Sequence, residues 1–488
     1  MKTPPSHPIL SSDETRSLEA KLFAGDEALE WSAMQRAGRA IAAAVLRDFQ
    51  ELGGFPAAGR ILVLAGKGHN GGDALIAAQA ILAQFPAARA EVIFAFGSRA
   101  LRPLAARAWR DLVHAAGDRV ASVREARGSY GLCLDGIFGF QFRPPADPRT
   151  AALIKAVNAL PIRLRAAVDL PSADLFQADL TYATGCVKTS VLDSRPAGRV
   201  RYLDLGFFEV ERADPNALSR VLLPSVLAPL AALRDPHADK RTFGHVFLVG
   251  GSRSYPGAIL LSTLAALRSG AGLVTTCVPE SLVPAFAARA PEAMWIGWPE
   301  TPDGHLALEG EHLLRARLDR ATALVIGPGL GREPETLALA RSLVASSPVP
   351  LVIDADALQP DIVRAGDAAR VLTPHAGEFA RLGRGPWPNG TLVQKGPVTR
   401  IAHGATTYHS FFGGPVLARG GSGDLLAGLI GGLLAQTPAE PLLAAARGVV
   451  WHGLAADHLA RAHGQAAVSV TQLLDFLSPA LKESAHAP

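Results

Sequence analysis

Short apolar runs that end in glycine or a carboxylate recur along this chain, each followed by residues at helical spacing. Ile61-Leu62-Val63-Leu64 leads into Ala65-Gly66-Lys67-Gly68-His69-Asn70-Gly71-Gly72-Asp73, and Val246-Phe247-Leu248-Val249 leads into Gly250-Gly251-Ser252. Ala323-Leu324-Val325-Ile326 leads into Gly327-Pro328-Gly329. An aliphatic run with no polar alternation is what a strand buried on both faces requires, and such strands belong to parallel sheets covered by helices. The pattern predicts an α/β chain whose ligand chemistry gathers at the carboxyl ends of the strands. At 488 residues the chain outgrows a single core, so two such units are expected.

The first series starts with a helix capped at Ser11-Ser12-Asp13-Glu14, then a second helix from Trp31 to Phe49 with Met34, Ala37, Ile41, Val45 and Leu46 on one side. The strand at Ile61 to Leu64, a glycine loop and a helix from Ala74 to Gln84 follow. Further strands are read at Glu91–Phe96, Gly131–Leu134, Arg165–Leu170 and Ala178–Thr184. Between Pro224 and Lys240 the pattern weakens into a linker, which sets the expected boundaries at 1–228 and 229–488. A second series then restarts, with strands at Val246–Val249, Leu273–Thr276, Ala323–Ile326, Leu351–Ile353 and Arg370–Leu372. The two halves share architecture but no motifs, so this is not a tandem repeat.

Charge and cysteines exclude several classes. The 48 basic and 44 acidic residues leave a net +4, scattered without blocks, which reads as solvated faces and phosphate contacts and not as a nucleic-acid surface. Cys133, Cys186 and Cys277 are too few and too far apart for a disulfide framework or a zinc site. They read as core hydrophobes in a reducing, cytoplasmic protein. The segment Met1–Leu10 has no signal-peptide core. The longest apolar run, Leu425–Ala435, is too short to span a bilayer and carries glycines at its packing face.

That run follows Arg419-Gly420-Gly421-Ser422-Gly423-Asp424. Its small residues let backbone amides approach an anion, and a helix beginning at Asp424 would aim its positive end at the same place. A carboxylate there can take a proton from an attacking hydroxyl. The competing reading is an N-capping aspartate after a flexible loop. No G-x-x-x-x-G-K-[ST] run exists, which excludes a P-loop.

In the first half, Gly66 to Gly71 satisfies G-x-G-x-x-G between a strand and a helix, but the next strand ends Phe96-Gly97-Ser98-Arg99 without the acidic ribose partner, against an NAD-dehydrogenase. Asn70 and Asp73 stand out among the glycines. Two other strand ends carry Asp135-Gly136-Ile137-Phe138-Gly139 and Asp169-Leu170-Pro171-Ser172. Two carboxylates and an amide at strand ends can hold a monovalent cation and do acid–base work, or can be three turn-capping residues. His69 to Asp73, Leu134 to Gly139 and Val168 to Ala173, together with Met34 and Ala37-Gly38, resemble the hallmarks of the NAD(P)HX epimerase domain. The resemblance implies a Rossmann-like fold, with potassium held by Asn70, Asp135 and Ser172. It implies that His69, Asn70, Gly71, Gly72, Asp73, Gly139 and Asp169 contact the hydrated nucleotide, with Asp169 catalytic. The chain departs from the family at His69, which replaces an Asn, and after Ser172, where an acidic glycine-containing continuation is missing.

In the second half, Gly250-Gly251-Ser252, Gly327-Pro328-Gly329-Leu330-Gly331, Asp354-Ala355-Asp356, Thr373-Pro374-His375 and Lys395-Gly396-Pro397-Val398-Thr399 each end a strand. Together with the Gly420 loop they predict one multi-walled site. Each residue alone can be structural: buried aspartates often bond to backbone, and His375 can be a satisfied histidine. Roughly Lys240 to Leu477 is similar to the ADP/ATP-dependent NAD(P)HX dehydratases of the ribokinase-like superfamily. The resemblance implies that Ala258, Gly329, His375 and Asp424 bind the hydrated nucleotide and that Lys395, Gly396, Pro397, Val398, Thr399 and Gly423 hold the adenine nucleotide. It implies ADP as phosphoryl donor, potassium and magnesium ions as cofactors, Asp424 as catalytic base, and a homo-oligomer with no membrane partner. Gly413-Gly414-Pro415-Val416, Arg419 and Gln359 depart mildly from the family pattern. A kinase of the same superfamily that phosphorylates a vitamin precursor, with a non-catalytic N-terminal scaffold, is the alternative reading, and a non-enzymatic nucleotide-binding protein is a second one.

Overall fold

The structure is a computed structural model that describes residues 2–211, 214–383, 385, 387 and 389–484. The chain divides into two compact units, one of residues 7–217 with 460–464 and one of 1–6, 218–459 and 465–488.

The first unit is built on a seven-stranded parallel sheet. Its spatial order is Val120–Ser122, Arg89–Phe94, Arg60–Ala65, Tyr130–Gly136, Ile162–Val168, Leu180–Thr184 and Arg199–Leu203. The strand order reverses between Arg60–Ala65 and Tyr130–Gly136, and a crevice opens at such a switch point. Ile61, Val63, Leu132 and Leu134 face one core with Ile41, Val45 and Leu75, while Leu62, Leu64 and Cys133 face the other with Ile154 and Phe176. Both faces are covered, which is why these strands read as unbroken apolar runs.

One expectation holds here and another shifts. The Ser11 cap is real: Ser11 and Glu14 form a reciprocal capping box, and the helix runs Ser12–Phe23. The helix read at Ala74, however, begins at His69, so His69 to Asp73 form its first turn and not a loop. The glycines serve close packing instead. A Cβ on Gly71 would lie 2.3 Å from the Gly66 carbonyl oxygen, and one on Gly136 would lie 2.4 Å from that of Asn70.

The second unit has a sheet ordered Met294–Trp298, Leu273–Pro279, His245–Val249, Ala323–Ile326, Leu351–Ile353, Arg370–Leu372, Gly390–Gln394, Thr399–His403, Thr406–Ser410 and Ser219–Leu222. It is parallel from Met294–Trp298 through Gly390–Gln394, then turns antiparallel through Thr399–His403 and Thr406–Ser410. Its order reverses between His245–Val249 and Ala323–Ile326, beside Gly250 and Gly327. The helix Ser422–Gln436 is buried nearly throughout and lies against the helix Pro256–Arg268. Glycines permit this: a Cβ on Gly428 would sit 2.0 Å from the Ser262 carbonyl oxygen, and one on Gly432 would sit 2.0 Å from Ser269 Oγ. No helix among the described residues is long and apolar enough to cross a membrane, and all three cysteines are buried and free.

Candidate active sites

In the first unit the switch point opens into a cavity of about 360 Å³ lined by Glu19, Glu30, Lys67, His69, Asn70, Asp73, Gly139, Asp169 and Lys188, with Met34, Phe138 and Phe140 among its apolar walls. The residues assigned to the cation come together. Asp135 is wholly buried at the end of its strand, and its two oxygens accept from Ser172 Oγ at 2.6 Å and Ser172 N at 2.8 Å. Ser172 Oγ in turn accepts from Phe138 N at 2.9 Å, and Asn70 Nδ2 donates to the carbonyls of Phe138 and Val168 at 3.2 and 3.0 Å. Burial lifts the Asp135 carboxyl to about 6 against the Ser172 hydrogen bonds. No Lys, Arg or His pairs with this carboxylate among the described residues. A buried carboxylate with an amide, a hydroxyl and carbonyls around it fits a hard, oxygen-seeking cation.

Asp169 sits at the end of the next strand in the left-handed region, φ 68°, and pairs with Lys188. Both side chains are buried. The Lys188 ammonium also donates to the carbonyls of Thr184 at 3.2 Å and Cys186 at 3.1 Å. Lys188 carries no motif signal, and sequence reasoning missed it; the nearest sign was a lone lysine in an apolar strand-end stretch. Asp73 points into the same cavity, buried, with Oδ1 unpartnered among the described residues. Burial first, then the charges of Asp169 and Glu19, push its carboxyl far above the usual range. Gly71 and Gly72 lie in the helix behind the cavity, where Gly72 packs on Met34. His69 is half-exposed and faces Glu30 at 3.5 Å. Where the family's continuation after Ser172 is missing, the chain makes a tight turn with Ala173 and Asp174 both at positive φ, 57° and 55°.

In the second unit the helix after the glycine loop begins at Ser422, not Asp424, so Asp424 stands in its first turn. Gly421 takes the cap position at φ 94°, and no side chain caps the helix. The amides of Gly423 and Asp424 have no acceptor among the described residues, which leaves them for an anion. The simple capping role for Asp424 therefore fails. Its backbone oxygen is held by Ser262 Oγ at 2.7 Å. Burial, then the negative charge of Asp354, raises its carboxyl to about 6, with Lys395 opposing.

Lys395 connects the walls. Its Nζ pairs with the buried Asp354 at 2.9 Å, and a Cβ on Gly423 would come within 3.0 Å of that nitrogen. Burial works against the Lys395 charge, but Asp354 outweighs it and holds the pKa up. Asp354 also accepts from Thr373 Oγ1 at 2.7 Å. Gly396, Pro397 and Val398 form the turn between Gly390–Gln394 and the strand that Thr399 opens. Across the switch point, Gly329 at φ 65° lies against Tyr255 and Ala258, and its carbonyl accepts from Ser252 Oγ at 2.9 Å. His375 caps the helix Ala376–Leu382, with Nδ1 accepting from Gly377 N and Glu378 N. Its Nε2 faces Glu378 Oε1 at 3.4 Å. Asp356 is taken by Arg332 at 2.9 Å, and Arg419 ties the loop to the carbonyls of Gln465 and Ala466.

Comparison with known proteins matches each unit separately. Residues 246–479 match the family model described as NAD(P)H-hydrate dehydratase, and residues 31–190 match the YjeF-related protein N-terminus. The Bifunctional NAD(P)H-hydrate repair enzyme Nnr of Gloeobacter violaceus is 34% identical over 97% of both chains. That of Moorella thermoacetica is 34% identical over 92% of both. A solved ADP/ATP-dependent NAD(P)H-hydrate dehydratase from Bacillus subtilis, co-crystallised with ATP and Mg2+, is 28% identical, with TM-score 0.45 over 52% of this chain and 94% of that one. Two α/β units, each with its matching half and its own strand-end site, and near full-length relatives place this chain in the family of bifunctional NAD(P)H-hydrate repair enzymes.

Proposed function

We propose that residues 229–488 dehydrate the S hydrate of NADH or NADPH at the expense of ADP, and that residues 1–228 interconvert the R and S hydrates. The observation that carries the first half of this reading is the pair of amides at Gly423 and Asp424, unpartnered among the described residues, beside the buried Asp354 carboxylate and the partly buried Lys395. A hydroxyl on C6 of the hydrated ring is a poor leaving group. Asp424 takes its proton, the oxygen attacks the terminal phosphate of ADP, and AMP departs. The loop amides and Lys395 meet the charge that develops on the transferring phosphoryl group. The ring nitrogen then expels phosphate from C6, and loss of a C5 proton restores the double bond. The sum is hydrate plus ADP giving NAD(P)H, AMP and phosphate.

Magnesium would arrive with the nucleotide phosphates, since Asp354 and Asp356 are already paired to Lys395 and Arg332. In the N-terminal unit, potassium would be held by Asn70, Asp135 and Ser172 and would supply the counter-charge that Asp135 lacks. Cytoplasmic residence and homo-oligomeric assembly belong to the same reading.

The test is direct. Hydrated NADH with ADP should recover NADH absorbance with one phosphate released per NADH formed; a stable phosphorylated product would instead make the chain a kinase. The pH profile carries a second expectation. Asp424 acts unprotonated and its carboxyl is lifted to about 6. Dehydration should therefore rise through about pH 6 and level off above it. A flat profile from about pH 5 to 8 removes Asp424 as the base.

A further inference from the structure

The N-terminal cavity holds an ionisable group outside the matched residues 31–190: Glu19. The helix Ser12–Phe23 presents Thr15, Leu18, Glu19 and Leu22 on one face, at successive helical turns. Leu18 packs with Ala33 and Phe207, with Leu22 against the same cluster, and Thr15 Oγ1 meets Cys186 Sγ at 3.7 Å. That contact fixes the helix on the segment that carries Lys188. One turn beyond Thr15, Glu19 is delivered to the cavity wall.

The groups in this cavity differ in what they can do with a proton. The Lys188 ammonium spends its three hydrogens on Asp169, Thr184 O and Cys186 O. It has none to give and no lone pair to take one. Burial opposes its charge, but Asp169 holds the pKa above the ordinary value, so Lys188 is a fixed cation. Burial raises the Asp73 carboxyl well above its ordinary range, and its Oδ1 has no partner among the described residues. Glu19 has neither a hydrogen bond nor an ion pair among the described residues and stays partly open to the cavity. Burial, against the attraction of Lys188 and with the repulsion of Asp169 and Glu30, brings its carboxyl to about 7. The charged and titratable groups that face it are Lys188, Asp169, Glu30, Asp73 and Cys186, with Lys67, His69, Arg102 and Arg143 along the rest of the wall.

We propose that Glu19 is the acid–base residue of hydrate epimerisation, handing a proton to the C6 hydroxyl and taking one back when water returns. The inference rests on the epimerase reading of this unit. The protonated carboxyl gives its proton to the hydroxyl oxygen, and the C6–O bond breaks with its electron pair leaving on water. The ring nitrogen lone pair closes N1=C6. The ring turns over about its glycosidic bond, and water then adds to the opposite face of C6 from the Glu19 side and returns a proton to the Glu19 carboxylate. Nothing is consumed. The fixed charge pair of Lys188 and Asp169 beside it sets the field in which the cationic ring forms.

The experiment compares the full-length chain with Glu19→Gln and Glu19→Asp, following chromatographically separated R and S hydrates above their spontaneous rate from about pH 5 to 9. Glu19→Gln is expected to lower kcat by at least about a hundredfold, with KM for the hydrate little changed and the limb near neutrality lost. Glu19→Asp, which keeps a carboxyl one methylene short, should retain part of the rate and a displaced limb. Thermal unfolding and hydrate binding of both variants report that the unit is folded. An unchanged rate or an unchanged limb in Glu19→Gln overturns the assignment, and so does equal loss in both variants. A wild-type chain that leaves the hydrates at their spontaneous rate overturns the epimerase reading itself.

Discussion

Asp424→Asn should lower NAD(P)H-hydrate dehydration by at least about a hundredfold while ADP still binds. The substitution is nearly isosteric. It leaves the Ser262 hydrogen bond to the backbone oxygen of residue 424, the Gly423 and Asp424 amides and the Lys395–Asp354 pair in place. On the proposed mechanism, what it removes is the negative charge that makes this oxygen basic enough to take the hydroxyl proton. The neighbours Asp354, Glu378 and Asp356 cannot replace it without turning away from their present partners. Isothermal titration with ADP and steady-state turnover, measured on one preparation, separate the two effects. Turnover within about threefold of wild type would make the carboxylate a structural feature of the helix start.

Lys188→Met should destabilise the N-terminal unit by about 3–5 kcal/mol, the range seen when one member of a buried ion pair is removed. Asp169 would be left charged in a site where its side chain is almost wholly buried, and the carbonyls of Thr184 and Cys186 would lose their donor. The double substitution Lys188→Met with Asp169→Asn should regain part of the loss, because no charge is then stranded. Asn also tolerates the left-handed backbone at position 169, φ 68°. Hydrogen exchange of amides in the strands Tyr130–Gly136 and Ile162–Val168 reads this unit by itself. A loss below about 1 kcal/mol in the single variant would mean that water, not Asp169, balances the ammonium. Both variants should fall to the spontaneous rate of epimerisation.

Much of this architecture is legible in the residues. Buried parallel strands announce themselves as aliphatic runs, and the glycine-rich stretches after Ala65, Val249 and Ile326 mark both switch points. Helix Ser12–Phe23 was legible from its capping box. The strand Met294–Trp298 was not, because one of its faces is only partly buried and its run is interrupted by Gly297. Thr399–His403 and Thr406–Ser410 carry threonines, arginine and histidines in place of aliphatics, since they pair antiparallel at the side of the sheet where the parallel core ends. Asn70 looked like part of a loop because helix signals are weak in a first turn containing Gly71 and Gly72; packing against Gly66 and Gly136 overrides that propensity. The residues proposed for the cation and the phosphate lie in motifs. Lys188 and Glu19 do not, because their significance depends on which carboxylate each meets, and that is a matter of sheet order and helix docking.

The glycines of helix Ser422–Gln436 give this enzyme a calibration point away from its chemistry. At 1.5 Å per residue, Gly428 and Gly432 lie roughly 7.5 and 13.5 Å along the axis from Gly423. There the helix rests on Ser262, Ala266 and Ser269 with no room for a methyl group. Any larger residue at these places would lift the helix off its seat and carry the Gly423 and Asp424 amides with it, and displacement by an ångström is enough to cost about a hundredfold in rate. An inherited or engineered change at Gly428 can thus slow the dehydratase without altering any residue of the proposed site.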